Sequence, residues 1–236
     1  MERTTTLRRL VANGTGTAPQ RLTGLATGLG IPAADLLVIA GHPVPTELLP
    51  PGRDAEALRR FAYSAGHCDH ARLAELRAFV SSLPRPAVVE PFVRPTWPGH
   101  RPAATRVAAV LRDLLRNRGF GLRELPFLGL SRSTLLAMVR RCDPGPYRAR
   151  QLSALAGPLG WRLPDLFAVA DEPYPPGLRP MVHCHHLGRV FEAAVPLSTA
   201  RLIEATAEAD RLSAREEHGV WQPVSQGFAG ECPDLC

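Results

Sequence analysis

Hydrophobic residues recur at helical intervals along most of the 236-residue chain. After Asp69, the positions Leu73, Leu76, Val80 and Leu83 follow a spacing of three to four residues, which predicts an amphipathic helix. The same spacing predicts a helix over 105–118 and a tail helix that starts at Ser198 or Thr199 and runs to Gly219. Alternating strand patterns are nearly absent. We therefore expect an all-α fold.

Prolines divide this helical pattern into regions. Six prolines between 84 and 102 forbid a regular helix and favour an extended connector. A second group, between 173 and 180, separates the preceding region from the tail. The predicted organisation is a first helical region, a Pro-rich linker, a second helical domain and a C-terminal helical region, with the bounds 1–83, 84–102, 103–171 and 172–236.

Charge is distributed unevenly among these regions. The net charge is +6, and all 28 basic residues are arginine. Arginine without lysine, together with 24 Pro and 20 Gly, is typical of a GC-rich genome. Residues 101–162 hold 12 Arg against three acidic residues, whereas residues 172–236 hold five Arg against nine. The basic segment predicts an anionic partner, and the tail is acidic.

The chain contains an internal repeat. Thr6-Leu7 and Val11 match Thr134-Leu135 and Val139. Further matches, from the first copy to the second, are Leu22 to Leu152, Leu25 to Leu155, Ala26 to Ala156, Leu29 to Leu159, Gly30 to Gly160, Asp35 to Asp165, Leu36 to Leu166 and Ala40 to Ala170. Each copy predicts a short helix, a loop, a longer helix and a final short helix.

The second copy, over about 104–171, resembles the XRE, or lambda-repressor-like, helix-turn-helix family of transcriptional regulators as found in actinobacteria. The stretch Gly129-Leu130-Ser131-Arg132-Ser133-Thr134-Leu135 is similar to the turn and the start of the recognition helix in that family. The resemblance implies two lambda-repressor-like units, of which the first begins at Met1 without its first two helices. It also implies a sequence-specific regulator that binds double-stranded DNA with the segment at about 122–141.

By this resemblance, one helix lies in the major groove and its neighbours hold phosphates. Arg132 and Ser133 would read bases, and Ala137 would contact a thymine methyl group. The phosphate contacts would come from Arg123, Arg140, Arg141 and Arg148. The matching positions of the first copy are Arg3, Thr4, Arg8 and Arg9.

Two features favour an alternative function. Pro126 interrupts the second helix of the motif, and the first unit lacks its opening helices. The apolar side chains of the first helix must then be buried by the helices after Asp54 or by another subunit; these side chains are Leu7, Leu10 and Val11. Either the start of the protein lies upstream of this Met, or the first copy is a remnant that serves as a packing module. The alternative is an interaction module that binds a partner regulator. For the DNA-binding function, the resemblance implies a homodimer on two half-sites.

One segment resembles a metal site. His183, Cys184 and His186, joined by Cys232, supply four ligands of types that zinc accepts, but without a standard spacing. We interpret the stretch as an ordinary histidine cluster, with the metal site as the alternative, and we expect no bound metal or other cofactor. No motif of a hydrolase, metalloprotease or nucleotide-binding loop is present, so we expect no enzymatic activity. Without a signal peptide, an apolar span or paired cysteines, a cytoplasmic location is expected.

Overall fold

Helices make up the regular structure of this protein. The computed structural model describes residues 3–50, 54–86, 105–121, 149–179 and 182–214, and within these five ranges there is no strand. This agrees with the predicted all-α class. The α-helices are α1 Arg3–Asn13, α2 Pro19–Leu29, α3 Ala33–Ala40, α4 Ala55–Gly66, α5 His70–Ser82, α6 Arg106–Asn117, α7 Ala149–Leu159, α8 Leu163–Val169, α9 Val182–Ala194 and α10 Thr199–Ala214.

Side-chain caps set the start of three helices. Asp54, Asp69 and Thr105 each stand before a helix and accept a hydrogen bond from a backbone N–H of its first turn. Thr105 thus caps α6, which occupies the helix predicted over 105–118. None of the helices in the described ranges is long and apolar enough to cross a membrane.

The internal repeat extends to the backbone. Gly30 after α2 and Gly160 after α7 both adopt a left-handed conformation, with φ of 59° and 66°. The next residue in each copy donates its backbone N–H to the carbonyl five residues earlier, Ile31 to Ala26 and Trp161 to Ala156. This is the six-to-one bond of a Schellman cap. The pairs α2–α3 and α7–α8 therefore share one local geometry, as the matching residues suggest.

The helices pack around one continuous hydrophobic core. In it, α9 packs against α5 and α7, while α10 packs against α4 and α5. On the other side, α1 packs against α3 and α8, and α6 packs against α3 and α7. Helices from the two predicted repeats thus contact each other directly, and the tail helix α10 packs on helices that precede the Pro-rich stretch.

Candidate nucleic-acid interface

Helix α1, the first copy's counterpart of the predicted recognition helix, has one buried and one exposed face. Leu7 and Leu10 are buried in the core. The sequence left open whether the helices after Asp54 or another subunit cover them. In the structure α1 packs mainly against α3 and α8 of the same chain, rather than against α4 and α5, which directly follow Asp54. Because α8 belongs to the second copy, the second unit supplies part of the core that the first unit needs.

The exposed face of α1 is basic. Four exposed residues follow one another at intervals of three, one and three positions, so they form a single stripe on the helix: Thr5, Arg8, Arg9 and Ala12. We call these four residues the α1 stripe. No acidic residue occurs between Arg3 and Ala34, whereas this stretch contains four arginines. The stripe itself carries two positive charges and no negative one, which suits a polyanion.

Arg3 is held inside the structure rather than on the stripe. Its Nε lies 2.7 Å from Oδ2 of Asp165, whose side chain is fully buried. Its Nη1 donates a hydrogen bond to the carbonyl of Leu29, at 2.5 Å. Thr4 is half-buried. Of the four first-copy residues predicted to contact DNA, Arg8 and Arg9 are exposed, and Arg3 instead joins α1 to the second copy.

A second cross-link between the copies runs in the opposite direction. Arg118, after α6, donates hydrogen bonds to both carboxylate oxygens of Asp35 in α3, at 3.0 and 2.7 Å. It also donates to the carbonyl of Leu159, the repeat counterpart of Leu29, at 2.5 Å. Arg3 and Arg118 therefore play matching roles. Each binds the carbonyl of the last residue of α2 or α7 in its own copy and the matching aspartate of the other copy.

Asp35 accepts further hydrogen bonds from buried groups. The amide of Asn117 donates to Oδ1 at 3.2 Å, and Nε1 of Trp161 donates to Oδ2 at 3.0 Å. Asp35 itself is 1% exposed. A buried carboxylate is tolerated only when it is paired and hydrogen-bonded in this way.

Arg106 adds a third link between the copies. It lies at the start of α6, and its Nη2 donates to the carbonyls of Leu10 in α1 and Ile39 in α3, at 3.3 and 3.1 Å. Both carbonyls belong to the last turn of a helix, where no intrahelical donor is available. The positive side chain also complements the negative ends of the two helix dipoles.

The sequence does not single out Arg106 or Arg118, and it predicts a DNA contact for Arg3 rather than a link between the copies. The available signal was the repeat itself, because Asp35 and Asp165 occupy the same position in both copies. Two acids retained among apolar neighbours indicate buried carboxylates that need cationic partners. Composition does not reveal which arginine reaches them.

The remaining residues predicted to contact DNA fall in one segment. This segment and the predicted turn at Gly129-Leu130 lie outside the described residues. The predicted contact residues in it are Arg123, Arg132, Ser133, Ala137, Arg140, Arg141 and Arg148. The helices that flank this segment, α6 and α7, are both anchored in the core through Leu111, Leu114, Leu152 and Leu155.

The histidine cluster lies on α9, against the start of α5. His183 and His185 are exposed, Cys184 is buried, and the ring of His186 lies 6.2 Å from that of His70 in α5. In the part of the chain that the structure describes, no group of three His, Cys, Asp or Glu residues is arranged to hold a metal ion. Cys232 lies outside that part.

Acid is expected to destabilise the protein through this cluster. Although both side chains reach solvent, the surrounding protein atoms partly desolvate their rings; this desolvation, followed by the neighbouring His186, lowers the pKa of both His183 and His185 below the usual 6.5. His70, Arg77 and Arg189 add to this effect, while Asp69 and Glu192 oppose it. The unfolded chain then binds protons more readily than the folded protein. The free energy of unfolding therefore has its full value above about pH 6.5 and decreases as the pH drops below it. Urea unfolding at about pH 7.5 and about pH 5.5 measures the decrease.

The variant His185→Gln tests the cause of that decrease. It removes the titrating group and is expected to reduce the difference in unfolding free energy between the two pH values. If the wild type were equally stable at both, or if the variant kept the full difference, the cluster would not be the source.

Comparisons with known proteins add no family to this description. No family model matches the chain, and no curated protein or solved structure is significantly similar to it. The function is therefore argued from the residues and from the geometry of α1.

Proposed function

We propose that this protein is a sequence-specific DNA-binding transcriptional regulator. The helix-turn-helix at about 122–141 would read the bases of double-stranded DNA, and the α1 stripe would add a second basic contact. The observation that carries the proposal is the stripe itself. It places Arg8 and Arg9 together on an exposed helix face whose opposite face is anchored by Leu7 and Leu10. A rigid basic helix of this kind suits phosphate contacts.

Two sequence features support the proposal beside the stripe. The excess of positive charge lies in residues 101–162, which include the motif resembling the family's turn and recognition helix. The internal repeat relates α1 to the helix predicted to start at Ser131, so both candidate contact helices occupy the same position within their copies. In this proposal the two lambda-repressor-like units act together, joined by the Arg3–Asp165 and Arg118–Asp35 pairs.

DNA binding is expected to depend on salt and on specific arginines. Fluorescence anisotropy with a pool of random genomic duplexes measures it at several salt concentrations. Arg132→Ala would cost about 1–3 kcal/mol on selected sites, because its side chain no longer reaches a base edge. Arg140→Ala and the double variant Arg8→Ala/Arg9→Ala would weaken all duplexes alike. Each would also reduce the salt slope by ~0.9 for every phosphate that is no longer neutralised.

The matched control is Arg201→Ala. Removing Arg201 lowers the net charge by one, as Arg140→Ala does. Arg201 pairs with Glu204 at 2.6 Å on α10, a helix that packs mainly on α4 and α5, whereas α1 packs mainly on α3 and α8. Arg201→Ala should leave DNA binding nearly unchanged. Absence of salt-sensitive binding at low ionic strength, or equal weakening in Arg201→Ala and Arg8→Ala/Arg9→Ala, would contradict the proposal.

An interaction module that binds a partner regulator is the second candidate. It is favoured by Arg3, since the residue matching the start of the recognition helix is tied to Asp165 instead of facing solvent. Two large apolar side chains, Tyr63 on α4 and Ile203 on α10, are also 55% and 61% exposed. Co-purification of one protein in stoichiometric amount, together with indifference to DNA, would select this candidate.

A further inference from the structure

A groove of about 320 Å³ lies where the end of α7, the start of α8 and α9 meet. We call it the aromatic groove. The residues that matter for its chemistry are Gly160, Trp161, Arg162, Tyr174, His185 and Arg189. Its volume is at the lower end of the range for small-molecule sites, which suits a ligand with a single ring.

Both aromatic side chains of the groove are held by contacts elsewhere. Trp161 donates its indole N–H to Asp35, and the hydroxyl of Tyr174 donates to the carbonyl of Leu178 at 2.6 Å. The ring of Tyr174 also packs edge-to-face on Phe167, with centroids 5.4 Å apart. The polar ends of both side chains are therefore engaged, and the rings are held in fixed positions. Trp161 is 6% exposed and Tyr174 is 37% exposed, so Tyr174 offers the more accessible apolar ring surface.

The ion pairs at the groove and directly behind it contain three arginines and two carboxylates, and Arg162 and Arg189 are the arginines that line the groove. Arg162 donates to Asp165 from Nε and Nη2, at 2.9 and 3.2 Å, and Asp165 is the carboxylate that Arg3 also approaches. Two guanidinium groups thus share one carboxylate. Arg189, in contrast, pairs with its own partner, Glu192, at 2.6 Å.

His185 adds an imidazole to the polar lining. Its ring nitrogens can donate or accept a hydrogen bond. Gly160 lies against the side chain of Glu192, the partner of Arg189, since an added Cβ there would lie 3.3 Å from the carboxylate carbon.

We propose that the aromatic groove binds a small aromatic carboxylate, with the ring against Trp161 and Tyr174 and the carboxylate on Arg162. The single excess charge matches a monoanion, and the paired oxygens of a carboxylate fit a guanidinium. Arg162 is also the accessible partner, since its side chain is 61% exposed whereas that of Asp165 is fully buried. This site is independent of the proposed binding of DNA.

Isothermal titration of the full chain with benzoate tests the proposal, with benzamide and inorganic phosphate as comparison probes. Benzoate is expected to bind saturably. Benzamide lacks the charge and phosphate lacks the ring, so each should bind at least about tenfold more weakly. Arg162→Ala and Tyr174→Ala should each weaken benzoate by about tenfold, whereas Tyr174→Phe keeps the ring and should retain binding.

Separate control variants test whether a loss of binding comes from unfolding or from the change in net charge. Arg162→Ala leaves Arg3 beside Asp165, and its Tm reports whether the fold is retained; Arg162→Lys provides a charged replacement if it is not. Arg201→Ala removes an arginine of α10 that does not line the groove, and this variant should bind benzoate like the wild type. No saturable binding of benzoate by the wild type, equal binding of benzamide or phosphate, or unchanged binding in both Arg162→Ala and Tyr174→Ala would overturn the proposal.

Discussion

Gly188→Ala is expected to lower the free energy of unfolding by about 3 kcal/mol or more. Gly188 lies in the middle of α9, where the helix crosses α7 at Gly157. A Cβ added at Gly188 would lie 2.5 Å from Cα of Gly157 and even closer to its carbonyl group. These atoms belong to the backbone of another helix, so relief requires the two helices to separate. Separation would open the core on both sides of the crossing.

Replacing a different glycine, Gly24, by alanine is expected to raise the free energy of unfolding instead of lowering it. Gly24 lies inside α2, is exposed, and an added Cβ there has no heavy atom within 4 Å. Gly24→Ala should therefore stabilise the protein by about 0.5–1 kcal/mol, because alanine restricts the unfolded chain without creating a clash. Urea unfolding of both variants checks the pair. A Gly188→Ala protein as stable as the wild type would show that α7 and α9 do not pack this closely.

Asp35→Ala is expected to cost about 3–5 kcal/mol, because it leaves Arg118 without its carboxylate in a largely buried position. The side chain of Arg118 is 11% exposed, and Asn117 and Trp161 would be left without this acceptor at the same time. Since Asp35 belongs to α3 and its three donors belong to the second copy, the variant also removes a link between the repeats.

Two further variants separate the effect of burial from that of charge. Asp113→Ala removes a carboxylate paired with Arg112 and Arg116 on its own helix, partly exposed, and should cost less than about 1 kcal/mol. Replacing both partners, as in Asp35→Leu/Arg118→Leu, should recover much of the stability, because no unpaired charge remains. Equal costs for Asp35→Ala and Asp113→Ala in urea unfolding would argue against a buried ion pair.

Much of the helical structure could be predicted from local signals. Leu73, Leu76 and Val80 are all buried in α5, as their spacing predicts, and Asp69 caps that helix. Thr105 begins α6 in the same way. Such features are predictable because capping and amphipathic spacing depend on residues within one or two turns of each other.

The candidate site was less predictable. Arg3, Arg8 and Arg9 are the same residue type and lie within seven residues, yet Arg3 binds Asp165 while the other two are exposed. Helical spacing separates the two faces of α1 but does not name a partner 162 residues away. Likewise, the groove beside Trp161 forms only because α9 approaches α7, which the two glycines at their crossing allow.

By itself, the amino-acid sequence determined the helical class, the caps, the internal repeat and the location of the basic excess, since each depends on neighbouring residues or on simple counting. Only the tertiary structure decided that the second copy completes the core of the first, that Asp35 and Asp165 receive arginines from opposite copies, and that Trp161 and Arg162 line a groove. Those outcomes depend on contacts between residues far apart in the chain, and many different sets of such contacts are compatible with the same composition and periodicity. Packing selects one set of contacts, because buried carboxylates need specific donors and close helix crossings need glycine.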